Sequence, residues 1–106
     1  MLTITPQEGG AVARLLLDGE LDLSTAGDLA SAVEESLADR TLERIVVDLH
    51  GVRFCDSSGI EALLVAQDLA ASAGLPLVTE ETSDVITRIL KVCGVWEVLT
   101  GTQPAL

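Results

Sequence analysis

The chain has 106 residues, 48% of them apolar, and its 17 acidic side chains against 6 basic ones give a formal charge of −11. That length suits one domain with a real core, and that charge repels phosphate backbones and anionic membranes, which excludes ordinary nucleic-acid or membrane-surface binding. One Phe, one Trp and no Tyr leave an aliphatic core and almost nothing to stack on bases.

The opening "LTITP" alternates apolar and polar residues, which predicts a strand stopping at Pro6. Gly9-Gly10 then predicts a hairpin turn. In "AVARLLLDGELDL" the near-continuous apolar run from Val12 to Leu17 predicts a strand buried on both faces, interrupted by Gly19, with Glu20, Leu21 and Asp22 at its far end. Ser24 or Thr25 caps the next element, where Ala26, Leu29, Ala30, Val33 and Leu37 recur at helical spacing. This is an amphipathic helix of roughly four turns. "RIVVDL" is a β-branched strand inside the sheet, and after His50-Gly51 the run "VRFCD" reads as a brief extended connection.

"SSGIEALLVAQDLAASAG" predicts a second helix closed by Gly74, which Pro76 keeps from continuing. "LPLVT" is a short strand, and Glu80-Glu81 turns the chain. Ser83 or Asp84 caps a third helix containing Val85, Ile86, Ile89, Leu90 and Cys93, which Gly94 breaks. "VWEVL" follows as a last helical turn or strand, and residues 101–106 read as a flexible tail. The order predicts one α/β domain (mixed α+β) over residues 1–100, with an N-terminal hairpin, a mixed sheet and helices on at least one face.

Cys55 and Cys93 are too few for a disulfide framework, and each lies among apolar residues, so both read as small buried hydrophobes. With a single His, a metal site is not expected, nor is a cofactor, since no phosphate-cradling loop occurs. The chain shows no basic leader and no apolar run near the roughly 18 residues that a membrane helix needs. It reads as a soluble cytoplasmic protein.

The stretch "DSSGIE" at 56–61 concentrates the chemistry. Ser58 and Glu61 match a capping box, and Asp56 complements the positive end of a helix. One such residue is enough for a cap, however, and here three stand in a row, with Gly59 leaving the serines poorly shielded. A nucleophilic serine needs a base, and His50 is the only histidine; without a "GxSxG" elbow the pattern argues against an enzyme. A phosphorylation switch fits better. Phosphate adds about −1.5 to −2 charges, which a helix N-terminus tolerates.

Three segments carry a resemblance: "GELDLSTAGDL" at 19–29, "IVVDLHGVRFCDSSGIEALL" at 45–64 and "SDVITRILKVCGVWEVL" at 83–99. Together they resemble the STAS domains of bacterial anti-sigma factor antagonists, also called anti-anti-sigma factors. The resemblance implies a sheet of four or five strands with helices against it, and a mechanism of partner switching in stress-responsive transcription. The unphosphorylated protein would bind an anti-sigma factor that is a serine kinase, freeing the sigma factor. Phosphorylation would dissolve the complex, and a serine phosphatase would reset it. Carried onto this chain, Ser58 is the phosphoacceptor, with Ser57 as the alternative. Asp56, Ser57, Gly59, Asp22, Ser24 and Thr25 form the partner surface, on a monomer or weak dimer. The alternative function is a STAS adaptor in another assembly, of lipid-transport or stressosome type, without the phosphoswitch.

Overall fold

The computed structural model describes residues 1–102; of the expected tail, 103–106 lie outside the described residues. Eight elements follow in order: β1 (Leu2–Gly9), β2 (Val12–Leu21), α1 (Ala26–Leu37), β3 (Arg44–Cys55), α2 (Ser57–Ser72), β4 (Leu77–Glu80), α3 (Asp84–Val92) and α4 (Trp96–Thr100). The sheet has four strands in the order β1-β2-β3-β4. β1 pairs antiparallel with β2, whereas β2, β3 and β4 run parallel, as helical crossovers require. None of the described helices is long and apolar enough to cross a membrane.

Several local details depart from the sequence reading for physical reasons. β1 continues through Pro6 to Gly9, which is possible because β1 is an edge strand and needs no donor on its outer side. The two-residue turn is Gly10-Ala11, with Gly10 at a φ of 64°, where a side chain would be strained. The helix α1 is 12 residues long, nearer three turns than four. "VRFCD" is no separate connection: β3 runs unbroken for 12 residues and absorbs two register shifts against β2. Each shift places an extra residue on β3, the signature of a bulge. Cys93 is exposed at the end of α3 rather than buried, because Ile86 and Leu90 carry that helix's inner face.

Alternation along the strands sorts their side chains. Ala13, Leu15 and Leu17 of β2 and Ile45, Val47 and Leu49 of β3 join one apolar cluster with Leu29, Val33, Leu63, Ala66, Ile86 and Leu90 of the helices. On the opposite face the intervening residues hold an ion network. Arg14 donates to Asp48 at 2.8 Å and to Glu80 at 2.7 Å, and Arg44 reaches Glu80 at 3.4 Å. The second oxygen of Asp48 accepts the His50 amide at 2.8 Å. Asp48 is buried, so its charge depends on these partners. Hydrogen bonding to Glu80, followed by the neighbouring carboxylate charges, raises the Arg14 pKa above its ordinary value and keeps the guanidinium charged.

This network predicts that Arg14→Met costs about 1–3 kcal/mol by leaving the Asp48 carboxylate without its cation. Adding Asp48→Asn should restore part of that loss. Urea denaturation of the two variants checks both; an unchanged midpoint for Arg14→Met would contradict the account.

Candidate functional site

The carboxyl ends of β2 and β3 lie side by side, with Leu21 opposite Cys55. The loop after β2, residues 22–25, and the start of α2 after its cap Asp56 therefore meet at one edge of the sheet, where parallel α/β arrangements place binding sites.

Loop 22–25 is built from its own short polar side chains. The Asp22 carboxylate accepts the Ser24 amide at 3.0 Å and the Ser24 hydroxyl at 2.7 Å. Thr25 Oγ1 accepts the Asp22 amide at 3.0 Å and donates to the Glu20 carbonyl at 2.9 Å. Chiefly through the Ser24 hydroxyl, these bonds lower the Asp22 pKa below the usual carboxylate value. A depressed carboxylate stabilises the loop above its unfolded pKa, and the contribution fades as pH falls through the folded one. Ser24 and Asp22 remain accessible, but Thr25 is buried, so it holds the loop instead of presenting itself to a partner. The folded turn pushes Leu23 outward, leaving it 79% exposed.

The α2 start differs from the expected capping box. Asp56 is the N-cap, in extended conformation at φ −104° and ψ −169°, and its side chain accepts the Gly59 amide at 3.0 Å. Ser57 and Ser58 already belong to the helix, so neither can cap it, and Glu61 is left exposed without a role at the terminus. Neither serine hydroxyl has a hydrogen-bond partner among the described residues. Ser57 is exposed and Ser58 half-buried.

Gly59 is buried, so it is no exposed gap beside the serines. A Cβ there would stand 2.2 Å from the Leu21 carbonyl oxygen and 2.8 Å from Cys55 Sγ. The missing side chain lets the first turn of α2 sit directly on both strand ends, turning the serines outward. Cys55 beneath it has its thiol pKa raised to about 11, first by burial and then by Asp56 and Cys93.

Ser58 lines a mainly apolar groove of about 290 Å³ between α1 and α2, with Leu23, Ala26, Ala30, Glu61 and Val65 among its walls. Phe54, next to Cys55 at the end of β3, is 49% exposed. Leu23, Phe54 and Val65 are the surface residues that sequence reasoning missed; the one available signal was an apolar Leu set inside the polar turn "DLST". His50 is not brought to the serines. It lies five residues before Cys55 along β3, about 16 Å at strand rise, in a depression with Arg14, Asp48 and Glu81.

Comparison with known proteins adds a family. The model described as "Mlab, STAS domain" matches residues 4–100. An anti-sigma F factor antagonist of Paenibacillus polymyxa is 26% identical over 98 residues, covering 92% of this chain and 84% of the relative. The anti-sigma-F factor antagonist RsfB of Mycobacterium tuberculosis is 36% identical over 67 residues, covering 63% of this chain but only 54% of RsfB. Among solved structures, an anti-sigma factor antagonist from Mycobacterium paratuberculosis superposes with a TM-score of 0.74 at 24% identity, covering 93% of this chain and 83% of that one. The phosphorylated form of the Bacillus cell fate determinant SpoIIAA superposes at 0.65 with 15% identity, covering 88% and 85%.

The packing at the α2 start sets three expected outcomes. Gly59→Ala should cost about 1–3 kcal/mol through overpacking against backbone that cannot yield, read as a lower denaturation midpoint; a neutral substitution would contradict the contact. A thiol whose folded pKa is raised contributes stability below its unfolded pKa that is lost as pH rises through the folded one. Stability should therefore decline between pH 9.0 and about 11, less so in Cys55→Ala. Iodoacetamide at neutral pH should label Cys93 alone in the folded protein, and rapid labelling of Cys55 would show that α2 does not cover it.

Proposed function

The chain belongs to the STAS-domain family, and from that premise we propose that it is an anti-sigma factor antagonist working by partner switching. In this reading the unphosphorylated form docks a serine-kinase anti-sigma factor on the surface formed by loop 22–25, Phe54 and the start of α2. The sigma factor is thereby released in the cytoplasm. The kinase then phosphorylates Ser58, the complex separates, and a serine phosphatase returns the antagonist to its binding form. The names of the Paenibacillus and Mycobacterium relatives support the antagonist role.

One observation carries the reading: the Ser58 hydroxyl, unpartnered among the described residues, opens into an apolar groove at an exposed helix start. The unmodified groove offers an apolar partner favourable burial of Leu23 and Val65. A phosphate on Ser58 would put nearly two negative charges in that groove. Covering it would then require stripping water from an anion without a matching cation, which is strongly unfavourable. The helix itself tolerates the anion, because the first-turn amides and dipole favour negative charge. Ser57 points to a different result: exposed and outside the groove, its phosphate would stay hydrated and oppose docking less. Asp22, Ser24 and Asp56 frame the approach.

A second reading has support from the same exposed apolar patch, since Leu23, Phe54 and Val65 would equally suit a permanent contact. The chain would then be a STAS adaptor subunit of another assembly, lipid-transporting or stressosome-like, with no phosphate cycle.

Incubation with the kinase-type anti-sigma factor of the source organism and ATP should add one phosphate by intact mass, abolished in Ser58→Ala and retained in Ser57→Ala. Ser58→Asp should weaken kinase binding about tenfold or more while leaving the thermal midpoint nearly unchanged. Stable complex formation without phosphate transfer would favour the adaptor reading instead.

A further inference from the structure

The chain's six basic side chains are unevenly used. Arg14, Arg44 and Arg53 stand in ion pairs with Asp48, Glu80, Asp18 and Glu20. Arg40, in the connection between α1 and β3, has no ion-pair partner among the described residues. Arg88 and Lys91 lie together on the outside of α3, both exposed, and neither comes within ion-pair distance of a carboxylate among the described residues. Even Asp84, one turn before Arg88, does not pair with it. Lys91 Nζ stands 5.1 Å from the centre of the Trp96 ring, a cation–π contact that fixes its position without neutralising it.

Two large apolar side chains share this face. Val85 is 64% exposed and Val92 is 80% exposed. Positions 85, 88 and 92 follow the spacing that aligns side chains along one side of a helix, and Lys91 flanks them. Single exposed valines are ordinary. A stripe of two, edged by two unpaired cations in a chain of charge −11, is not a typical solvated face. The inner face of α3 is already satisfied by Ile86 and Leu90 in the core.

The stripe belongs to a helix that packs against β3, the strand whose carboxyl end carries Phe54 and leads into the start of α2.

We propose that the outer face of α3 is a second wing of the docking surface and binds an acidic, apolar segment of the same anti-sigma factor. Val85 and Val92 receive its apolar side chains, and Arg88 and Lys91 pair with its carboxylates. This rests on the antagonist reading. An acidic segment is repelled by nearly every other surface of this chain, so the α3 wing fixes the partner's orientation as well as adding contact. It also lies outside the Ser58 groove, so it remains available when that serine is modified.

The test is calorimetric titration of the full chain with the source organism's kinase-type anti-sigma factor. Arg88→Gln with Lys91→Gln, and separately Val85→Ser with Val92→Ser, should each weaken binding about tenfold. Arg40→Glu lowers the net charge by the same two units as the first pair and should change affinity less than about twofold. The effect of the first pair should shrink at high salt. If both α3 pairs bind like the unmodified chain while Ser58→Asp abolishes binding, the α3 wing is wrong and the antagonist reading stands. If the unmodified chain does not bind the kinase at all, both fall. Self-association of the chain that the α3 changes abolish would assign this face to a second copy and overturn the proposal.

Discussion

The first turn of α2 rests on the ends of β2 and β3 with no side chain between them, and the rest of the candidate site depends on that contact. Gly59 approaches the Leu21 carbonyl and the Cys55 sulfur so closely that any Cβ would collide. Loop 22–25 and the start of α2 are consequently brought to the same edge, because Leu21 and Cys55 are neighbours in a parallel pair. With the inner side of the turn committed to the strands, Ser57 and Ser58 face outward, and Asp56 closes the helix from outside it. The start of α2 thus combines a rigid base with hydroxyls on its outer side. A modification there can alter the surface while leaving the contacts below it in place.

Electrostatics divides the molecule in a second way. Acids outnumber bases 17 to 6, and three of the bases neutralise carboxylates on or beside the sheet. The buried Asp48 needs this most, since it has little water to solvate its charge. What remains on the outside is mostly negative, apart from α3. Around Ser58 the surface is apolar with acids at its rim, so a phosphate there would demand hydration that the bare groove does not.

Much of this was legible in the residues. The hairpin, the β-branched third strand, the helices at 26–37 and 57–72 and the stop at Gly74 all follow from periodicity and turn chemistry. The meeting of loop 22–25 with the α2 start follows from parallel strands. The cap was misread because three capping residues stand in succession, and only backbone angles show that Asp56 is extended while Ser57 and Ser58 are helical. β3 looked broken at His50-Gly51 because bulges have no strong composition signal. Cys93 follows the apolar spacing of α3, yet it is that helix's C-cap, past the turns whose inner face Ile86 and Leu90 carry. Thr25 and Gly59 were taken for surface residues; only the packing shows them holding the loop and the helix from within.

The central claim is that charge on Ser58 changes what the surface can bind without changing the fold. An amide NMR spectrum of the chain with phosphoserine installed at position 58 tests this without any partner. The account predicts preserved dispersion, with shifts confined to loop 22–25, the facing turns of α1 and the first two turns of α2. Loss of dispersion throughout, or shifts spreading through Ile45–Leu49 at the centre of the sheet, would contradict it.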